Sequence, residues 1–344
     1  GWYNPFDVTE IINTYHNDND GIMQFPGALG QMIGPLERGW LIAVLGSFKR
    51  WKTNLMLEVA VQALFHRLKV VFISLEMKKK TINDRLYRRL TGSSKEDEFI
   101  YPAFDCYYNQ TGDCQREERE NKIQLVDSNG TIPVFDSNNK YQVCVSCRNK
   151  KGKGKNYKVA TWFEILKRPV LTNNYIIKTA RGIEMMYGDN LRIIEYSRGT
   201  ASFTDIKKAI TILEQAEDFI PDVIIIDYIK IIKHEYTIEG IDELWVNLGG
   251  LAGEKHCIVM TGDQGIRSAI YKTNMEQNDW SGWVGALGHI DIGFALNQTK
   301  EEKKGKIMRI GLLGHRHKEF DENEQCVILQ QLTTGQILLD SEIL

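Results

Sequence analysis

The chain has 344 residues, of which 42% are hydrophobic and 26% charged, and this composition is that of a globular protein that can bury a substantial core. Its 43 basic and 45 acidic side chains leave a formal net charge of -2, which excludes a polycation, so any nucleic-acid binding needs a local basic surface. No apolar run approaches the roughly 18 to 20 residues of a membrane-spanning helix, and the N-terminal segment lacks the apolar core of a secretory signal, so we expect a cytoplasmic protein without a membrane partner.

The predicted elements divide the chain into three parts. Residues 1–33 contain only short apolar patches, and we interpret them as a linker or docking arm. Residues 34–92 and 184–344 alternate apolar strands with helices, which indicates βαβ units and an α/β domain with a central, mostly parallel sheet. Residues 93–183 are rich in Asn, Asp, Lys and Gly, so we interpret them as an insertion. The chain begins with Gly1 rather than Met, which suggests a processed product or a piece of a longer polypeptide.

Short apolar runs predict the strands of the α/β part, at residues 41–45, 70–75, 191–196, 223–226, 258–261, 290–296, 307–313, 327–332 and 337–339. Helices are predicted at 53–66 and 204–218. The first helix is apolar on most sides, so we expect it to pack against the sheet and to be covered again on its outer side. A tight turn is predicted at Thr334-Gly335, between the last two strands.

A candidate phosphate-binding loop lies between the first strand and the first long helix. Against the pattern G-x-x-x-x-G-K-[ST], Gly46, Lys52 and Thr53 match, and Trp51 replaces the second glycine. In such a loop, backbone N–H groups cradle phosphate oxygens, the Lys reaches the terminal phosphates, and the Thr hydroxyl helps to hold Mg²⁺. The predicted nucleotide-binding residues are Gly46, Ser47, Lys49, Arg50, Trp51, Lys52 and Thr53. The alternative is an ordinary strand-to-helix turn with a Lys at the helix start.

The apolar run 223–226 ends in Asp227. A carboxylate at the C-terminal end of a buried parallel strand lies beside the phosphate loop, so we expect Asp227 to bind Mg²⁺ through water, together with Thr53. A carboxylate at a strand end is common when taken alone. The loop and the carboxylate in this order together indicate a nucleoside triphosphatase.

A third motif, Ser-Leu-Glu-Met at 74–77, ends the strand that follows the phosphate-loop helix. With the phosphate loop before it and Val-Ile-Ile-Ile-Asp-Tyr at 223–228 after it, the chain resembles the RecA-like motor domain of DnaB-type replicative helicases. The resemblance covers 34–92 and 184–344 and excludes the insertion. The extra cationic charge of the phosphate loop looks typical of a phage-type member.

The resemblance implies roles for residues outside the phosphate loop. In that family a Glu at this position orients and deprotonates the attacking water, which assigns the role to Glu76. The alternative is a strand-end Glu that caps the next helix. A Gln after a later strand senses the γ-phosphate and connects it to a DNA-binding loop. Gln264 fits that position, and Arg267 and Lys272 in the segment after it are the candidate DNA-binding residues.

Near the C-terminus the family carries Lys-x-Arg, whose Arg reaches into the nucleotide of the neighbouring subunit. Arg316 matches this Arg, and Gly314 stands where the Lys would be. The alternative is a surface Arg between two histidines.

Taken together, the resemblance implies an ATP- and Mg²⁺-dependent motor that forms a homo-hexameric ring, translocates on single-stranded DNA and unwinds duplexes. Candidate partners are primase or other replisome proteins, and the location is the host cytosol if the chain is phage-encoded. Two alternatives remain open. One is a RecA-like ATPase that forms filaments or binds strands during recombination. The other is a nucleotide-binding DNA scaffold with weak turnover.

The insertion carries its own motif, the four cysteines Cys106, Cys114, Cys144 and Cys147. The second pair has the C-x₂-C spacing of a zinc knuckle, whereas seven residues separate the first pair. A small polar module buries too little apolar surface to be stable alone, so we expect a structural Zn²⁺ on the four thiolates. The basic run from Arg148 to Lys158 is either a solvated face or a phosphate-contacting edge.

Overall fold

The computed structural model describes residues 21–47, 51–94, 96, 98–115, 123–133, 135–138, 140–148, 157–167, 172–266, 272–280 and 284–344. The strands are β1 Gly21–Met23, β2 Leu36–Glu37, β3 Leu41–Gly46, β4 Val70–Ser74, β5 Glu98–Cys106, β6 Val159–Lys167, β7 Leu191–Glu195, β8 Val223–Asp227, β9 Ile258–Gln264, β10 Ile292–Asn297, β11 Ile307–His315, β12 Gln325–Gln331 and β13 Gln336–Ile343. The α-helices are α1 Gly27–Ile33, α2 Lys52–Phe65, α3 Lys79–Thr91, α4 Tyr107–Thr111, α5 Asn173–Tyr187, α6 Phe203–Glu217, α7 Ile238–Lys255 and α8 Lys300–Lys304.

The central sheet has nine strands within the described residues, in the order β13-β12-β11-β10-β3-β9-β8-β4-β7. The strands from β10 to β7 run parallel to their neighbours, as the alternation of strands and helices predicts. The last three pairings, from β10 to β13, are antiparallel. The predicted α/β class with a mostly parallel sheet is therefore confirmed.

Apolar side chains cover both faces of this sheet. On β4, Val70 and Phe72 belong to one buried cluster, and Val71 and Ile73 belong to another. Successive strand residues point to opposite faces, so an unbroken apolar run places side chains in both layers. Helix α2 is buried on most of its surface, which agrees with the expectation from its apolar sequence.

The predicted arm at 1–33 needs a correction for the part that the structure describes. Residues 21–33 form β1 and α1, and Met23, Phe25 and Leu29 are buried in the core cluster that includes residues of β3 and α2. These apolar side chains bury their surface inside the domain instead of remaining in an extended arm. Residues 1–20 lie outside the described residues.

The insertion packs against the C-terminal edge of the central sheet. Its antiparallel pair β5·β6 places Phe104 against Val327 and Leu329 of β12. Arg148 pairs with Asp340 at 2.5 Å and with Glu342, both on β13. Helix α5 runs across the predicted boundary at residue 183, so the return into the α/β part is made within one helix. Among the described helices, none is both long and apolar enough to cross a membrane.

Candidate nucleotide site

Four neighbouring strands bring the predicted catalytic residues to one edge of the sheet. Strands β3, β9, β8 and β4 are adjacent and parallel, and their register pairs Gly46 with Gln264 and Ser74 with Asp227. The carboxyl ends of parallel strands form a common edge, which is where α/β proteins bind ligands. The edge holds a cavity of about 510 Å³, lined by Trp51, Lys52, Thr53, Asn54, Glu76, Met77, Thr81, Arg85, Asp227, Tyr228, Gln264 and Lys303.

Lys52 begins helix α2 and extends into this cavity. Its ammonium donates a hydrogen bond to the Gly46 carbonyl at 2.6 Å. Burial lowers the pKa of Lys52 to about 8, and the nearby carboxylates of Asp263, Asp227 and Glu76 oppose the shift. A buried ammonium surrounded by carboxylates is suited to an anionic ligand that replaces its lost hydration.

The phosphate loop ends at Trp51 in a left-handed conformation, with φ 59° and ψ 24°. This is the backbone geometry that a glycine adopts freely, which explains why the phosphate-loop pattern has Gly here. No side chain caps helix α2 at this end, so its first N–H groups remain available to phosphate oxygens. The indole packs partly against the apolar core. Phe48, Lys49 and Arg50, including the last two as predicted nucleotide ligands, lie outside the described residues.

Asp227 is the most deeply buried carboxylate of the cavity, with 1% of its surface exposed. Burial raises its pKa to about 6, and the hydroxyl of Thr53 beside it opposes the shift. Neither carboxylate oxygen receives a well-formed hydrogen bond from the described residues. A buried carboxylate without donors is stabilised when a cation binds it, so Asp227 and Thr53 fit the predicted Mg²⁺ site.

Glu76 and Gln264 flank this pair at the same edge. Glu76 lies two residues after β4 and is exposed to the cavity solvent. Gln264 ends β9, and its side-chain amide donates to the Tyr228 hydroxyl at 3.0 Å. Both side chains line the cavity with Lys52 and Asp227, as the sequence motifs predict for one shared site.

The structure adds cationic residues that the motifs did not identify. Arg85 on α3 lines the cavity and donates to the Asn54 side chain at 2.6 Å. Burial lowers the pKa of Arg85, and Asp227 and Glu76 oppose this. Lys303 on α8 also contributes to the lining. Arg85 lies nine residues after Glu76 on the next helix, and only this position on a predicted amphipathic helix could have pointed to it.

Solved structures with the same architecture were compared with the chain as a whole. A solved ATPase domain of a DnaB-like helicase superposes with a TM-score of 0.62 and 13% identity, covering 98% of this chain and 100% of that chain. A DnaB-like replicative helicase, described with its interactions with primase, superposes with a TM-score of 0.58 and 12% identity, covering 97% of this chain and 66% of that chain. The fold is that of a DnaB-like helicase ATPase domain. Neither a protein-family model nor a curated protein matches the sequence.

Within this DnaB-like fold, Arg316 lies far from the chain's own phosphate loop. It directly follows β11, whose last residue His315 is in register with Ile292 of β10 and, through it, with Ile42 of β3. Gly46 lies four residues further along β3, about 13 Å at 3.3 Å per residue. Arg316 is half exposed, and its guanidinium donates to the Gly288 carbonyl at 2.5 Å and lies 3.6 Å from Asp291.

The predicted DNA-binding residues have different outcomes. Lys272 pairs with Asp279 at 2.9 Å and with Glu276 at 3.5 Å, so carboxylates of its own segment balance its charge. The hydrogen bond to Asp279 raises the pKa of Lys272. Arg267 lies outside the described residues.

The four cysteines of the insertion surround one cavity of about 530 Å³. None of the chain's six cysteines forms a disulfide. Asp105 links the two cysteine-bearing segments, because its carboxylate accepts the backbone N–H groups of both Cys106 and Cys144 at 2.8 Å. In the described part of the chain, no three His, Cys, Asp or Glu side chains form a preassembled metal-binding group. Cys257 and Cys326 are fully buried, as predicted for core residues.

The basic run of the insertion is not a uniform cationic face where the structure describes it. Arg148 is engaged by Asp340 and Glu342, and its guanidinium also lies 4.5 Å from the ring centroid of Phe104. Lys158 lies over the ring of Tyr107. The lysines between them lie outside the described residues. Arg148 therefore anchors the insertion.

Proposed function

We propose that the chain is the motor of a ring-shaped, hexameric helicase that uses ATP to translocate on single-stranded DNA and to unwind duplexes. The observation that carries the proposal is the buried Asp227 carboxylate, without hydrogen-bond donors in the described residues, beside Lys52 and Thr53. This arrangement suits a magnesium-bound triphosphate at the sheet edge. The likeness of the fold to DnaB-like ATPase domains supports the same class.

The residues of the cavity divide the work of phosphoryl transfer. The Lys52 ammonium neutralises the terminal phosphates, and Asp227 and Thr53 hold Mg²⁺, which neutralises charge between the β- and γ-phosphates when bound. Glu76 accepts a proton from the attacking water, because an exposed carboxylate at the cavity can meet a solvent molecule there. Gln264 orients toward the γ-phosphate from the neighbouring strand.

Arg316 supplies a charge to the nucleotide of the adjacent subunit. Its place at the opposite end of the strands from its own phosphate loop supports this role, since the side chain cannot span about 13 Å of sheet. Catalysis then requires a neighbour, which is the reason for a ring. Primase or other replisome proteins are the proposed further partners, and the cytoplasm is the proposed location.

Zinc binding by the insertion belongs to the proposal as a structural feature. Four cysteines around one cavity and the absence of disulfides support it. The described residues form no preassembled metal group, so the thiolates must converge when the metal binds.

ATP hydrolysis measured by phosphate release tests the proposal. Lys52→Ala should abolish turnover and weaken nucleotide binding, whereas Glu76→Gln should bind nucleotide and hydrolyse it about 10² to 10⁴ times more slowly. Glu239→Gln, an exposed carboxylate of α7 outside the cavity lining, is the matched control and should behave as wild type. Wild-type rates for Glu76→Gln would refute its role.

Particle mass with a non-hydrolysable ATP analogue separates the remaining alternatives. A closed hexamer supports the helicase motor, and open polymers favour the filament-forming ATPase. Nucleotide binding without turnover in the wild type would favour the scaffold.

A further inference from the structure

Asp263 is a buried carboxylate next to the cavity whose two oxygens are both in use. It is the penultimate residue of β9 and is 1% exposed. Its Oδ1 lies 2.9 Å from the Lys230 ammonium and accepts the Gln264 backbone N–H at 2.6 Å. Its Oδ2 accepts the indole N–H of Trp280 at 2.7 Å. One side chain therefore connects three separate pieces of backbone.

On one side, these connections lead to the nucleotide cavity. Gln264 follows Asp263 directly, and its side-chain amide is bonded to the hydroxyl of Tyr228. Lys230 lies in the short 3₁₀ turn Ile229–Ile231 that follows β8 and its Asp227. Two strand ends of the site are thus joined through Asp263.

On the other side, they lead to the segment that leaves β9 and returns to it. Trp280 pairs with Gly265 through a β-bridge, and the Ile266 N–H donates to the Asp279 carbonyl at 2.9 Å. The indole of Trp280 is 3% exposed and meets the ring of Trp245 edge-on at 5.8 Å. Because it is buried, Trp280 fixes the base of the segment and is not available to stack on a nucleotide base.

A buried ion pair contributes little net stability, since desolvation of both charges opposes their attraction. Apolar residues would fill the same space at least as well. The charge does, however, serve positioning, because a carboxylate accepts on both oxygens at once. An Asn has only one acceptor oxygen, and its amide N–H₂ would face either the indole N–H or the Lys230 ammonium.

We propose that Asp263, held by Lys230, is a positioning residue that couples Gln264 to the segment based at Trp280, and so makes the affinity for single-stranded DNA depend on the bound nucleotide. A shift of Gln264 toward a γ-phosphate pulls the N–H that Asp263 accepts, and the indole on the other oxygen follows. This inference rests on the proposed function.

The test is the affinity of the full chain for a fluorescein-labelled oligothymidylate, measured by anisotropy with a non-hydrolysable ATP analogue and with ADP. The ratio of the two affinities reports the coupling. Lys230→Met, Asp263→Asn and Trp280→Phe should each reduce the ratio about tenfold toward one, within the usual range of coupling. Lys230→Arg keeps the charge and should retain the wild-type ratio.

Lys255→Met is the matched control, because Lys255 forms a half-buried pair with Glu214 at 2.5 Å that touches none of the coupled residues. Its ratio should equal that of the wild type. Trp280→Phe keeps an aromatic ring in place and serves if thermal denaturation shows that Asp263→Asn is unfolded.

Two results would overturn the inference in distinguishable ways. A wild-type affinity that ignores the nucleotide would refute both the coupling and the proposed motor function. A wild type that responds, with Lys230→Met and Trp280→Phe responding equally, would refute the coupling alone.

Discussion

Trp51 is the residue at which the phosphate loop departs most from its pattern, and its backbone shows the cost. A non-glycine residue at φ 59° is strained by about 1 to 2 kcal/mol because its Cβ approaches the following carbonyl. The same geometry shows that the loop keeps the backbone path of a glycine-containing loop at this point.

The first prediction compares two substitutions of Trp51 that both remove the indole. Trp51→Gly relieves the left-handed strain and Trp51→Ala does not, so the Gly variant should have the higher free energy of unfolding, by about 1 kcal/mol. Urea denaturation without nucleotide measures the difference. Equal stability of the two variants would show that the left-handed conformation does not exist in solution.

Asp227 gives a pH-dependent prediction at the same scale. Its pKa in the folded state is about 6, above the ordinary value of 3.8. The folded state therefore holds this proton more tightly than the unfolded state, and the stability falls as the pH rises from about 4 to 6. At about 1.4 kcal/mol per pKa unit, the ionised carboxylate costs about 3 kcal/mol at neutral pH.

Asp227→Asn should remove this cost. Without Mg²⁺ and nucleotide, the variant should unfold at higher urea concentration than the wild type at pH 7.5, and the difference should shrink as the pH falls toward about 4. Urea titrations at the two pH values provide the check. A difference that is independent of pH would mean that Asp227 is not buried as a charge.

At the scale of elements, the insertion is attached to the motor by specific contacts. Phe104 covers apolar residues of β12, and Gln331 at the end of β12 donates to the Ile100 carbonyl of β5 at 2.5 Å. Arg148 clamps the far side to β13. The element that carries the cysteines is therefore held in a defined place on the edge of the sheet.

Zinc content tests the cysteine cavity of this element. Freshly purified protein should contain about one Zn²⁺ per chain by elemental analysis, with Zn–S distances near 2.3 Å by X-ray absorption. Cys144→Ser and Cys147→Ser should lose the metal, and chelation should lower the melting temperature. Cys257→Ala removes a fully buried thiol outside the cavity and should keep it. Metal-free wild-type protein would contradict the zinc site.

At the scale of the whole molecule, the nucleotide cavity and Arg316 lie at opposite ends of the parallel strands. A single copy cannot bring them together, whereas a ring of copies can place the Arg316 of one against the cavity of the next. The contribution of such an Arg to the rate is about 10³ to 10⁵ where it acts between subunits.

Mixed assemblies test this arrangement. Arg316→Ala and Lys52→Ala subunits should each be nearly inactive alone and should regain part of the ATPase activity when mixed, because one supplies an intact loop and the other an intact Arg. Arg192→Ala, another Arg paired with a carboxylate, is the control and should be active alone. Absence of recovery in rings shown to be mixed would leave Arg316 as an ordinary surface residue.

The sequence by itself determined the α/β class, the main strands and the residues at four strand ends. These features follow from local patterns: apolar runs mark buried strands, and Gly46, Lys52 and Asp227 sit in short motifs next to them. Strand ends were less well predicted, since β9 continues through polar residues to Gln264. The last residues of this strand carry polar side chains that are buried only in the fold.

Only the tertiary structure decided how these pieces meet. The antiparallel order of β10 to β13, the burial of residues 21–33 in the core and the ends of the sheet to which Arg85 and Arg316 belong all depend on contacts between residues far apart in the chain. The pairing of Lys230 with Asp263 is of the same kind. Such contacts leave no periodic or local signal, because strand order and register are chosen by the packing of the whole sheet.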